Sequence, residues 1–258
     1  MQDINDIDMK RWKEYEDIIT DSLWIFPSRD NSGAHTPEYH GNFVPQIPRQ
    51  AMLRYTKRGE CVLDTFAGLG TTLIEARRLG RNAVGIEINR DTASKAQKLI
   101  EREENPYNVK TKVLIGDATK PETYEELGMF QLAILHPPYW DIIKFSDIQE
   151  DISNAPTLQS FLELFEKVVS LTAEHLDDGR FLVLVIGDKY QSGTWIPLGF
   201  YTMERVMKHG FNLKSIVVKN IEENRGKRGK YALWRYRALK GGYYIFKHEY
   251  VMFFEKMR

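Results

Sequence analysis

His136-Pro137-Pro138-Tyr139 follows the apolar run Gln131 to Leu135 and combines residue types seldom placed together. Two successive prolines fix two φ angles and offer no N–H, so the four residues form a stiff turn whose carbonyls are free to accept from an amine. Tyr139 adds an aromatic platform for a base lifted out of a duplex. A second group, Asp64-Thr65-Phe66-Ala67-Gly68-Leu69-Gly70-Thr71-Thr72, follows Cys61 to Leu63. Its glycines let backbone approach a ligand closely, and the helix start behind them favours negative charge. Glu87 ends the next strand-like run, and Asp117 follows the third in Gly116-Asp117-Ala118. A carboxylate in the place of Glu87 can accept both hydroxyl protons of a ribose. Asp117 can accept from an adenine amino group. Three acidic groups at successive strand ends suit an adenosine carrying a cationic sulfonium and would repel a pyrophosphate. The reading is therefore S-adenosylmethionine rather than NAD.

These residues must be held by the elements between them. Strand-like runs cover 61–63, 82–87, 112–115, 131–135, 181–186, 212–219 and 249–254. Helical patterns cover 73–79, 91–104, 157–176 and 198–208. Phe181 to Ile186 is continuously apolar, as a strand buried on both faces requires. Strand alternating with helix gives an α/β fold, a doubly wound and mainly parallel seven-stranded sheet. The last two strands have no helix between them, so an antiparallel strand is expected at one edge. Two stretches fit no regular pattern, 187–197 and 220–244, and irregular excursions at strand ends usually carry function.

The cofactor loop, with Gly85-Ile86-Glu87-Ile88-Asn89, resembles the amino-type DNA methyltransferases, which modify adenine N6 or cytosine N4. The usual family string is D-P-F-x-G-S-G-T-T followed by a G-x-E/D strand; Thr65 and Leu69 depart from it. His40-Gly41-Asn42-Phe43-Val44-Pro45-Gln46-Ile47-Pro48 resembles the family's cofactor-closing motif, and His248-Glu249-Tyr250 its closing strand. The resemblance implies a Rossmann-like methyltransferase sheet. It also implies a cofactor set of Phe43, Asp64, Phe66, Ala67, Gly68, Gly70, Thr71, Thr72, Glu87, Asp117 and Ala118. His136, Pro137, Pro138 and Tyr139 become the catalytic turn.

In the family the turn begins with Asp, Asn or Ser, which with the following proline carbonyl accepts hydrogen bonds from the exocyclic amine. His136 departs from that. A neutral imidazole can accept one such bond, whereas a protonated one only donates. From the ordinary histidine pKa, activity is expected to fall below about pH 6. Trp140 to Ser146 resembles the continuation in some Ser-Pro-Pro-Tyr cytosine-N4 enzymes. The order of closing motif, cofactor loop and catalytic turn looks permuted relative to the commonest Asp-Pro-Pro-Tyr subgroup.

The resemblance points to double-stranded DNA as partner, with a companion restriction endonuclease as a further one. Two rivals stay open: an RNA methyltransferase acting on guanine N2 or adenine N6, and a silent nucleic-acid-binding regulator that keeps the pocket.

Formal net charge is zero, from 36 basic and 36 acidic side chains, which argues against a uniformly cationic coat. Basic residues instead concentrate between Lys219 and Lys240, with eight Lys or Arg against two Glu. Arg225, Lys227, Arg228, Lys230, Arg235 and Arg237, interleaved with aromatics, are the expected phosphate contacts, with Lys189 in a second candidate loop. The segment Trp24 to Asp30 is a candidate cover for the pocket.

Length and composition fit one domain over 1–258, with 1–35 as an N-terminal extension. The single cysteine, Cys61, cannot form an internal disulfide. The six histidines lack metal-ligand spacing, so no metal is expected. No run approaches the ~18 apolar residues that cross a membrane, and the acidic N-terminus lacks signal-peptide features. A cytoplasmic protein is expected.

Overall fold

A computed structural model describes residues 4–39, 41–221 and 231–258. The strands are β1 (Leu23–Trp24), β2 (Cys61–Asp64), β3 (Asn82–Glu87), β4 (Thr111–Ile115), β5 (Phe130–Leu135), β6 (Leu176–Ile186), β7 (Lys189–Gln191), β8 (Thr194–Ile196), β9 (Phe211–Asn220) and β10 (His248–Lys256). The helices are α1 (Gln46–Tyr55), α2 (Thr71–Leu79), α3 (Arg90–Arg102), α4 (Leu158–Glu174), α5 (Leu198–Met207) and α6 (Tyr231–Gly241).

The main sheet has eight strands in the order β1-β9-β10-β6-β5-β2-β3-β4. The seven expected from sequence are joined by two-residue β1, too short to leave a periodic signal; it pairs parallel with β9. β10 is the antiparallel strand, lying between β6 and β9. Along β6, Phe181, Val183 and Val185 pack into the cluster containing α1 and α2 residues such as Ile47 and Leu73. Leu182, Leu184 and Ile186 join the opposite cluster, with Phe161 and Phe165 of α4. Helices thus cover both faces, as the unbroken apolar run demands.

Side-chain bonds fix where α3 and α4 begin. Asn89 caps α3 by accepting from the Asp91 and Thr92 amides. Thr157 and Ser160 form a reciprocal capping box at α4.

From β2 the chain winds outward through β3 to β4, then returns to place β5 on the other side of β2. That reversal opens a crevice at the strand carboxyl ends. Asp64 and Ile134 are register partners, so the turns after β2 and β5 emerge side by side.

The stretches read as irregular contain regular pieces. β7 and β8 form a short antiparallel hairpin, and residues 231–241 are helical. Tyr190 stacks on Tyr243 at 4.1 Å and Trp195 lies against Phe246 at 4.2 Å, so the hairpin and the 243–246 segment form one aromatic body. Asp188 anchors it, accepting from the Trp195 indole at 3.1 Å and the Gly199 amide at 2.9 Å.

Candidate cofactor and base-binding cleft

A cleft of about 1140 Å³ opens at the carboxyl edge where β2 and β5 meet. Its walls bring together Phe43, Phe66, Ala67, Gly68, Glu87, Asp117 and Ala118 with the whole turn His136, Pro137, Pro138 and Tyr139. Phe26 to Arg29 also line it, in keeping with a cover segment.

The cofactor side is shaped by backbone. Gly68 and Gly70 adopt φ of 52° and 79°, the left-handed region that glycine enters without strain. Glu87 holds this loop: one carboxylate oxygen accepts from the Gly68 amide at 2.9 Å, the other from the Asn89 amide at 2.9 Å. Burial, augmented by the nearby Asp151 and Asp64 charges, pushes the Glu87 carboxyl up to about 7. Asp117 uses one oxygen for the Thr119 amide and hydroxyl, while its buried Oδ2 has no partner. Thr65, which replaces the family's proline, also has a buried hydroxyl without a partner on the cleft wall. Buried acceptors left open in this way call for a ligand with hydrogen-bond donors, such as an adenosine.

Not every expected cofactor residue reaches the cleft. Asp64 is fully buried beneath the loop, where it accepts from the Phe66 amide at 3.0 Å; burial pushes its carboxyl up to about 6. Gly70, Thr71 and Thr72 are buried at the start of α2 and do not line the cleft. These four build the turn from below, because the chain enters α2 there and its side chains point into the packed layer.

The side formed by the His136 to Tyr139 turn is shaped by side chains. The His136 ring lies 4.9 Å from Phe43, edge to face, so the closing motif packs directly on the catalytic turn. Tyr139 donates its hydroxyl to Glu249 Oε2 at 2.7 Å, and His136 Nε2 lies 3.4 Å from that hydroxyl. Glu249 Oε1 pairs with Lys219 Nζ at 3.0 Å; both residues are buried and face each other across β10 and β9. Burial would raise the Glu249 carboxyl, but Lys219 and His136 with the Tyr139 hydroxyl bond hold it below its ordinary value. The His136 imidazole is pushed down to about 4 by burial, with Lys219 adding to the effect and Glu249 opposing it. The acid limb near pH 6 expected of His136 is therefore corrected: this imidazole stays neutral well below that pH.

Glu249 and Lys219 were not expected as a pair; each stands at the polar end of its strand, next to an apolar run. Asp151 was missed too; it lines the cleft and accepts from Ser146 Oγ at 2.7 Å. Tyr39 is a further missed neighbour, its ring 3.2 Å from where a Gly68 Cβ would sit.

The expected phosphate contacts divide. Lys189 is buried, with its ammonium paired to Asp141 and 4.0 Å from the Trp140 ring centre, so it braces the catalytic turn instead of offering a free cation. Arg235 and Arg237 are exposed on α6, the latter with its guanidinium 5.3 Å from the Trp234 ring. Arg225, Lys227, Arg228 and Lys230, and His40 of the closing motif, lie outside the described residues. Asp30, His35 and Glu75 are close enough to share a cation. The Arg78 guanidinium already lies 3.4 Å from Asp30 and 3.2 Å from Glu75, so the group reads as an ion-pair cluster.

Residues 2–98 match the family model described as DNA methylase. A type II methyltransferase, M2.DpnII of Streptococcus pneumoniae, is 33% identical over 106 residues, covering 40% of this chain and 35% of that protein. The tRNA (guanine(10)-N2)-dimethyltransferase of Pyrococcus abyssi is 36% identical over 96 residues, covering 37% of this chain and 28% of that one. The chain thus matches about a third or less of the length of these curated relatives. Among solved structures, TrmN from Thermus thermophilus superposes with a TM-score of 0.55 at 16% identity, over 83% of this chain and 49% of that one. That likeness bears out the Rossmann-like methyltransferase fold. The family resemblance is borne out over residues 2–98, and S-adenosylmethionine is the cofactor that matches it.

Proposed function

We propose that the chain, whose residues 2–98 match the DNA methylase model, is an amino-methyltransferase that methylates an exocyclic amino group, cytosine N4 or adenine N6, of a base flipped out of double-stranded DNA. The observation that carries this reading is the meeting, in one cleft, of the Glu87-held glycine loop and the His136-Pro137-Pro138-Tyr139 turn. Glu87 and Asp117 would hold the ribose hydroxyls and the adenine amine, and Phe43 would close over the site. Bound S-adenosylmethionine supplies an electrophilic methyl group on its sulfonium.

On this reading His136 and the Pro137 carbonyl accept hydrogen bonds from the target amine, which orients the nitrogen lone pair. Tyr139 faces the base, and the closed walls exclude water. The gain is mostly positional, because a one-step displacement needs nitrogen, methyl and sulfur in line. Arg235 and Arg237 would meet the phosphate backbone. A restriction endonuclease recognising the same sequence would be the natural companion.

A second reading, methylation of RNA, is favoured by the tRNA-modifying relative. Incubation with radiolabelled S-adenosylmethionine and either duplex DNA or tRNA separates the two. Label is expected in DNA; label confined to tRNA would establish the RNA reading, and label in neither would leave a silent binding protein.

A further inference from the structure

We propose that Glu249, held by Lys219, is a positioning residue that fixes the tautomer of His136 through the Tyr139 hydroxyl, leaving His136 Nδ1 as the acceptor for the target amine. The inference rests on the amino-methyltransferase reading and explains how a histidine serves at the head of the catalytic turn.

The argument is a count of protons along one chain of contacts. Lys219 carries only donors, so Glu249 Oε1, 3.0 Å away, is an acceptor. Glu249 is kept ionised by that ammonium, so its Oε2 is an acceptor as well. The hydroxyl of Tyr139 has one proton, and it goes to Oε2 at 2.7 Å. The Tyr139 oxygen is then left with lone pairs only. His136 Nε2, 3.4 Å from it, can bond there only as a donor. A neutral imidazole with its proton on Nε2 has a bare Nδ1, and His136 is on the cleft wall.

The groups facing the ring come from its own turn and from three other segments. Phe43 packs edge to face on it from the closing motif, and Tyr139 borders it from its own turn. Glu249 and Lys219 approach from β10 and β9. Burial keeps the ring neutral, and the ion pair decides which nitrogen holds the proton. A lone histidine in this place would offer its acceptor on either side; the buried pair removes that choice.

The test is ¹⁵N NMR of protein labelled at its six histidines, with the His136 signals assigned by their loss in His136→Asn. The expected spectrum from pH 7 to pH 5 has protonated Nε2 and unprotonated Nδ1. In Glu249→Gln the amide can donate to the Tyr139 oxygen, so the Tyr139 proton turns to His136 and the Nδ1–H form gains population. Methyl-transfer kcat should then fall by on the order of 100-fold, with cofactor affinity within about twofold. Tyr139→Phe keeps the ring but loses the relay, and should give an averaged tautomer spectrum even if Glu249→Gln fails to fold. An Nδ1–H spectrum in the wild type, or one unchanged in Tyr139→Phe, would overturn the proposal. Because the spectrum is read without turnover, a wild type that methylates nothing would sink the enzymatic reading and leave the tautomer assignment standing.

Discussion

The two walls of the cleft are built by different means. The cofactor wall is local: a glycine turn, the strand end beside it and backbone amides gathered by one carboxylate, Glu87. The catalytic wall is long-range. Tyr139 reaches Glu249, 110 residues away in sequence, and Glu249 reaches back to Lys219 on the neighbouring strand. A wall of backbone tolerates side-chain change wherever φ and space allow; a wall of linked side chains fails when any member changes. Substitutions on the first should act on cofactor affinity, and those on the second on turnover.

The largest expected effect is at His136. Replacement by Ala removes the amine acceptor and should lower kcat by about 100-fold or more, with cofactor affinity nearly unchanged. Replacement by Asn, which supplies an acceptor oxygen, should recover most of that loss; equal damage from both would break the division between the walls. Next is Glu87→Ala, which strands the Gly68 and Asn89 amides. Isothermal calorimetry should show cofactor affinity weakened by about 10- to 100-fold, on the scale of one or two lost charged hydrogen bonds.

The division also separates by pH. The Glu87 carboxyl is pushed up to about 7, so as pH falls through neutrality it gains a proton, and one of its oxygens becomes a donor and holds ribose hydroxyls less well. kcat/KM for cofactor should therefore fall below pH 7. The His136 imidazole is at about 4, so kcat at saturating cofactor should hold to lower pH. Parallel decline of both constants would mean that one group serves both walls.

A smaller effect is expected at Gly68, whose φ of 52° and nearby Tyr39 ring oppose a side chain. Gly68→Ala should cost about 1–2 kcal/mol, read as a lower Tm and weaker cofactor binding. The smallest is Arg235→Ala with Arg237→Ala. Removal of each phosphate-binding cation should flatten the dependence of log affinity on log salt by about 1, and leave the chemistry of bound substrate alone.

The same contrast governs how much could be read from the sequence. Cofactor-wall residues follow consecutive parallel strands, so each motif sits at a strand end the periodicity already marked, and Glu87 and Asp117 stand on the cleft wall. Asp64 fell short because a strand's last residue can turn inward beneath the loop as easily as outward. Glu249 was hidden by topology: β10 runs antiparallel, so its first residues, not its last, stand at the cleft edge. Lys189 misled because its charge was visible while its partners, Asp141 and Trp140, lie in a loop with no repeat pattern. Two-residue β1 is too short to carry a period, and α6, three turns long, was missed because its apolar residues gather on no one face.

The most direct measurement is nucleoside mass spectrometry of duplex DNA after incubation with S-adenosylmethionine and either the wild type or His136→Ala. The account predicts N4-methylcytosine or N6-methyladenine with the wild type and on the order of 100-fold less with the variant. Equal yields from the two proteins, or methylated nucleosides arising only when tRNA replaces DNA, would contradict it.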